Sequence, residues 1–325
     1  MSLAVRPEDI DAAADRIAGH VARTPLLRCP RLDERVGGTV LLKAECLQVT
    51  GSFKLRGATN AIRSLPEGTK GVVAYSSGNH AQAVALAATR AGYPSVIVMP
   101  ADAPRAKRDR TAAYGAEVIL YDRLKESREA IGEAISEERG FALVPPFDFG
   151  PTIAGQGTVG LEAAAQAQAM GFAPDQALVC CSGGGLAAGT GLALKRAFPD
   201  SALVTVEPQG FDDTARSLAS GERCTNDPGA RSICDALLVN GPGALTLPIL
   251  RSLDASGVAV ADDEAVGAVR YAAEELRVVL EPGGAVALAA VLCGRVETKG
   301  KVTIVVLSGG NTDMETFAAA MRQGQ

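Results

Sequence analysis

Lys54 stands where an ordinary solvated lysine is not expected. It lies in "TGSFKLRGA", residues 50–58, behind a Gly-Ser pair and the aromatic Phe53, with a second cation, Arg56, two positions on. A lysine must shed its proton before its nitrogen can attack a carbonyl, and enclosure in a cleft disfavours the ammonium. Arg56 either assists that depression or, at strand spacing, faces solvent, and it is not counted among the catalytic groups.

Three other stretches offer groups that hold anions. In "SSGNHAQ", residues 76–82, Ser76 and Ser77 supply hydroxyls and Gly78 permits close backbone approach. The free N–H groups that follow, at Asn79 and His80, open a helix, and such a helix start takes a carboxylate. The plainer reading makes Ser76 or Ser77 an ordinary N-cap. "SGGGL", formed by Ser182, Gly183, Gly184, Gly185 and Leu186, presents consecutive backbone N–H groups as a nest for phosphate. It is not a P-loop, since no Gly-Lys-Ser/Thr follows, and it makes a poor GxGxxG fingerprint. "LSGGN", residues 307–311, delivers the hydroxyl of Ser308 at the end of a strand. A fourth stretch, "EPQGFDD", places Glu207 and Asp213 around a backbone carbonyl at Phe211. Hard divalent cations take such oxygens, and a capped turn with solvated acids is the alternative.

The rest of the composition narrows the chemistry. The two histidines, His20 and His80, exclude a histidine-rich zinc site and handicap a Ser-His-Asp hydrolase. A net charge of −5 without a basic stripe argues against nucleic acid as a partner. No apolar run is long enough for a membrane span, and "MSLAVRPEDIDAAADRI" lacks the apolar centre of a signal peptide. Seven cysteines without CxxC spacing read as small buried hydrophobes of a reduced, cytoplasmic protein.

These groups need elements to position them, and the 325 residues are enough for one large or two medium domains. From residue 71 strand and helix signals alternate. Strands are expected over 71–75, 95–100 and 117–122, and helices over 78–92, 104–116 and 127–140. A Pro/Gly-rich joint, "VPPFDFGP", follows at 144–151. The alternation then restarts with a helix over 158–171, a strand over 177–182, a helix over 185–198 and a strand over 202–208. A long helix over 263–277 and a strand from 302 complete it. The fold class is α/β, with two parallel-sheet domains: a large one from residues 1–65 and 149–325, and a small mobile one, 66–148, inserted in it. Ligands belong in the cleft between them, at loops that follow strands.

One cofactor needs a phosphate cradle, a lysine, a ring surface and a partner for its pyridine nitrogen, and that is pyridoxal 5'-phosphate. "TGSFKLRGA", "SSGNHAQ", "IAGQGTVGLE", "SGGGLAAG", "VEP" and "LSGGN" appear here in an order and spacing that resemble the threonine/serine dehydratase and serine racemase family. These are fold-type II, tryptophan-synthase-beta-like enzymes. The resemblance runs from about residue 22 to residue 311.

The resemblance implies roles. Lys54 would form the imine with the cofactor and remove the substrate's α-proton, while Phe53 packs nearby. Asn79 would hydrogen-bond the phenolic oxygen, Ser182 to Leu186 the phosphate, and Ser308 the pyridine nitrogen. Ser76, Ser77, Gly78, Asn79 and His80 would bind the substrate carboxylate. A serine at position 77 matches the racemases, where it reprotonates the face opposite the lysine, whereas "VPPFDF" resembles the dehydratases. The four-glycine loop common in the family begins here with Ser182. Glu207, Phe211 and Asp213 match the Mg²⁺ or Ca²⁺ site of the serine racemase branch. Glu281, in "LEPGGA", is a candidate to face the cofactor, although the glycine pair beside it reads as helix packing. The activity implied is α,β-elimination of water from L-threonine or L-serine, giving a 2-oxo acid and ammonia. 3-Hydroxyaspartate dehydration and serine racemisation are the rivals. The former needs a cation for its β-carboxylate, with Arg105 and Arg128 as candidates. A homodimer is expected, without isoleucine feedback, because the chain stops soon after the final strand.

Overall fold

The computed structural model describes residues 3–322, and among these the apolar runs form ten strands. They begin with β1 (Leu26–Arg28), β2 (Thr39–Ala44), β3 (Val72–Tyr75), β4 (Ser95–Pro100) and β5 (Glu117–Tyr121). They continue with β6 (Ala142–Leu143), β7 (Gln176–Cys180), β8 (Ala202–Pro208), β9 (Ser256–Val260) and β10 (Val302–Leu307). One sheet has the order β1-β2-β10-β7-β8-β9, and every pair in it is parallel except β1 with β2. The other, β5-β4-β3-β6, is parallel throughout. Central strands such as "QALVC" in β7 are buried along their whole length, as a parallel sheet covered on both faces requires.

The spacing of apolar residues sets the helix that matters most, Lys54–Arg63. Leu55, Ala58 and Ile62 recur at helical intervals and join Val72, Ala74, Val84 and Ile97 in the core of the four-stranded sheet. Each large apolar side chain among them contributes about 1.5–3 kcal/mol on full burial. This helix overturns the strand spacing expected around Lys54. Arg56 is consequently turned inward and is fully buried. It pairs with Glu45 and with Glu162, each at 2.8 Å. Lys43, also buried, reaches Glu162 at 2.7 Å.

The helix expected from residue 158 begins earlier, at Gly150, with Pro151 in its first turn, where the missing N–H costs nothing. Its glycines permit helix-on-helix contact. A Cβ on Gly189, in the helix Gly185–Ala197, would run into the backbone of Ile153 and Gly157. The helix expected over 263–277 divides into Asp262–Tyr271 and a π turn, Ala272–Leu276, which stops at Arg277 with φ 60°. All seven cysteines are free. No helix among the described residues is long and apolar enough to cross a membrane.

Candidate active site

Three loops that follow strands and the segment that opens the helix Pro282–Leu292 are sewn to one another. Phe53 N–H donates to the Ser308 carbonyl at 3.1 Å and Gly310 N–H to the Gly51 carbonyl at 2.9 Å, so the residues before Lys54 lie along the loop after β10. Asn311 Nδ2 donates to the Thr50 carbonyl and to Asn79 Oδ1, both at 2.7 Å. Asn79 Nδ2 in turn donates to Glu281 Oε1 at 2.5 Å. Asn79, Glu281, Ser308 and the Lys54 backbone therefore share one crevice, although Asn79 and Glu281 alone are 202 positions apart.

Lys54 opens its helix with its side chain in this crevice. Nζ donates to the Pro146 carbonyl at 2.9 Å and lies 5.2 Å from the centre of the Phe53 ring. No carboxylate forms an ion pair with it among the described residues. Burial lowers its ammonium to about 8, while Cys180 and Glu281 pull the other way. Glu281 is itself enclosed, and burial raises its carboxyl to about 7, with Asp235 adding to the rise and Asn79 opposing it.

The glycine loop turns sharply between β7 and its helix. Gly184 has φ 87°, a left-handed conformation that suits glycine, and the Gly183 carbonyl accepts from Thr246 Oγ1 at 2.7 Å. The first N–H groups of the helix Gly185–Ala197 face out of the loop without intrahelical partners. Ser182 Oγ is buried beside them with no partner among the described residues. The Phe147 ring lies against Gly183.

The loop after β3 opens the helix Asn79–Ala91. Gly78 N–H donates to Ser76 Oγ at 3.2 Å. His80 lies outside the role its loop suggested for its side chain. Nε2 meets the Val144 carbonyl at 2.8 Å and must carry the hydrogen, and burial with the nearby Lys54 lowers the ring to about 3. The imidazole is thus neutral and ties the loop to the end of β6. Ser76 and Ser77 also line a small cavity, about 60 Å³, with Tyr121, Arg123 and Arg128. The Arg128 guanidinium stands 5.4 Å from the Tyr75 ring centre. Arg105, the other candidate cation, is exposed and paired with Asp109.

Residues 17–309 match the family of pyridoxal-phosphate dependent enzymes. The chain belongs to that family. It is 39% identical to the L-threo-3-hydroxyaspartate ammonia-lyase of Pseudomonas sp, over 97% of this chain and 98% of that protein. Maize serine racemase superposes with a TM-score of 0.91 at 39% identity, covering 98% of this chain and 97% of that one. The threonine deaminase of T.th. gives 0.89 at 42%, covering 95% and 99%. The α/β architecture is accordingly that of the fold-type II pyridoxal-phosphate enzymes, and the protein is an enzyme of the ammonia-lyase and racemase group.

The residues present suit the family's cofactor. The orphaned hydroxyl of Ser182 and the outward N–H groups of its loop answer a phosphate, and the lowered Lys54 amine answers an aldehyde. Ser308 is placed with its Oγ beside Cys180, inside the same crevice. Glu281 joins the same crevice through its hydrogen bond from Asn79, and "LEPGGA" is the sequence signal for it.

The supposed solvated acids at Glu207 and Asp213 are buried. Glu207 accepts the N–H groups of Thr214 and Ala215 at 3.1 and 2.8 Å, capping the helix Asp213–Ser220. Asp213 takes one hydrogen bond from Asn226 Nδ2 and has its second oxygen buried without a partner among the described residues. Burial, and for Glu207 the adjacent Asp213, raises the two carboxyls to about 8 and about 6. An unpaired oxygen beside a second buried carboxylate suits a divalent cation.

Proposed function

We propose that this protein is an ammonia-lyase of β-hydroxy amino acids, converting L-threonine or L-serine to the 2-oxo acid and ammonia. The observation that carries this reading is the Lys54 amine, lowered to about 8 in a crevice with a phosphate nest and a helix start close by. Near neutral pH such an amine is neutral in a useful fraction of molecules. When bound, pyridoxal phosphate supplies an electron-withdrawing ring that makes the substrate's α-proton acidic.

The chain's own groups do the rest. Ser182 and the N–H groups of Gly183 to Leu186 hold the phosphate, and Phe53 shields the ring. The loop from Ser76 to His80 takes the α-carboxylate on its backbone N–H groups. Lys54 Nζ removes the proton from Cα, and the β-hydroxyl departs with a proton as water. The resulting enamine tautomerises and takes up one water, ending as 2-oxo acid and ammonia. Glu281 holds Asn79 toward the phenolic oxygen, and Ser308 donates to the ring nitrogen. The segment 66–148 is the part that closes over the substrate, bringing Ser77 to the face opposite Lys54. Glu207, the Phe211 carbonyl and Asp213 hold Mg²⁺ or Ca²⁺.

The test is a panel of β-hydroxy amino acids scored for 2-oxo acid and for enantiomer, with borohydride trapping of the cofactor. The expected result is 2-oxo acid from threonine or serine and a pyridoxyl group on the Lys54 peptide. Turnover of a Lys54→Ala variant at the native rate would sink the reading.

A second reading, 3-hydroxyaspartate as the substrate, is favoured by Arg128 beside Ser76 and Ser77 and by the Pseudomonas relative. On it, Arg128→Gln loses about tenfold or more in kcat/KM on 3-hydroxyaspartate, the size of one charged hydrogen bond, and much less on threonine. An equal fall on both substrates would remove it.

A further inference from the structure

We propose that Cys180 is a positioning residue that fixes the direction of the Ser308 hydroxyl, so that its hydrogen points at the pyridine nitrogen of the cofactor. This inference rests on the Ser308 assignment above.

Cys180 ends β7, and Ser308 follows β10, its neighbour in the sheet. The two strands run parallel, and their register carries Cys180 level with Leu307, the residue before Ser308, at the edge that forms the crevice. Cys180 Sγ donates to Ser308 Oγ at 3.1 Å, with both groups buried. A serine hydroxyl has one hydrogen to give and lone pairs that accept. The thiol occupies one of these lone pairs and leaves the hydrogen for another partner. Among the described residues Ser308 Oγ donates to none. Burial also holds the thiol up to about 11, so it stays protonated and remains a donor across the physiological range.

The direction matters to the chemistry. A hydroxyl that can rotate serves a neutral nitrogen as a donor or a protonated one as an acceptor. With one of its two lone pairs taken, the Ser308 hydroxyl has fewer ways to accept from a protonated nitrogen and is tipped toward donating to a neutral one. Cys180 therefore biases the ring toward the unprotonated form and limits how strongly it withdraws electrons. A valine at 180 fills similar space and gives no hydrogen, and a serine keeps the donor.

The test uses the holoenzyme carrying cofactor labelled with ¹⁵N in the ring. The readout is the nitrogen chemical shift as a function of pH, which separates the neutral from the protonated ring without reference to turnover. In the native protein and in Cys180→Ser the nitrogen is expected to remain neutral. In Cys180→Val the protonated fraction rises about twofold to tenfold at a given pH, the range that one neutral hydrogen bond supplies. Cys180→Ala, which relieves any crowding by valine, is expected to follow Cys180→Val. A ¹⁵N profile unchanged in both Cys180→Val and Cys180→Ala, while Ser308→Ala shifts it, would overturn the role of Cys180 and leave the Ser308 assignment standing. A profile that Ser308→Ala leaves untouched would overturn the assignment and the role of Cys180 together.

Discussion

Glu281 carries a pH consequence that reaches both stability and the crevice. Its carboxyl stands near 7 in the folded protein against 4.5 in the open chain, because burial disfavours the charge. Between those values the folded state keeps a proton that the unfolded state has lost, so stability falls as pH rises through this window. Above about 7 the full cost, roughly 3 kcal/mol, is present. The cofactor-free Glu281→Gln variant is therefore expected to melt higher than the native protein at pH 8 and at about the same temperature at pH 4.5. Melting curves with an identical offset at both pH values would contradict this. Because Glu281 accepts from Asn79, the same change also loosens the group proposed to meet the phenolic oxygen, and kcat falls. His80 works in the opposite sense. Its ring is held near 3, so stability is lost as pH falls below 6.5, where the unfolded histidine takes up a proton.

At the scale of the element, the helix Lys54–Arg63 is held from both sides, by apolar residues on one face and by Arg56 on the other. Arg56→Met strands two carboxylates, Glu45 and Glu162, without their fork. It is expected to cost about 3–5 kcal/mol in urea unfolding. Arg56→Lys keeps the charge but cannot make both bidentate contacts, and it loses less. A loss below about 1 kcal/mol for Arg56→Met would mean that Lys43 alone supports both acids. The helix also shows where the sequence was legible. The strands near 72, 96, 118, 177, 203 and 303 could be read because buried parallel strands are continuous apolar runs, and the loops after them because glycine and serine punctuate them. Lys54–Arg63 could not be read, since Arg56, Thr59 and Asn60 look solvated and are buried, with Arg56 and Asn60 bonded to partners more than 90 positions away. The start of the helix Gly150–Ala169 was hidden for a related reason, its glycines looking like a loop until the neighbouring helix is present. Short β1 and β6 lack a run long enough to stand out, and β9 opens on Ser256 and Gly257 and is mostly half-buried, so pairing alone reveals them.

For the whole molecule, the cation proposed at the buried acids of β8 would link ion binding to global stability. A cation held by Glu207 and Asp213 binds the folded chain alone, so at a hundredfold excess over its Kd it adds about 2.7 kcal/mol. Millimolar Mg²⁺ or Ca²⁺ is expected to raise the melting temperature of the native protein and to leave Asp213→Asn unmoved. A rise of the same size in that variant would place the ion elsewhere. Of the candidate site, Lys54, Asn79, Ser308 and the glycine loop are legible as local motifs in the sequence. The Glu281–Asn79 contact and the Cys180–Ser308 contact were not, because each joins residues more than 100 positions apart.

The seam between the loop before Lys54 and the loop after β10 bears on synthesis as well. During translation the lysine emerges early, yet the peptide that lies along it, residues 308–311, is made more than 250 positions later. A nascent chain that has not yet released β10 carries the reactive amine with no finished pocket around it. On the Lys54 assignment, the enclosure that would hold the coenzyme is complete only once the last strand has joined the sheet.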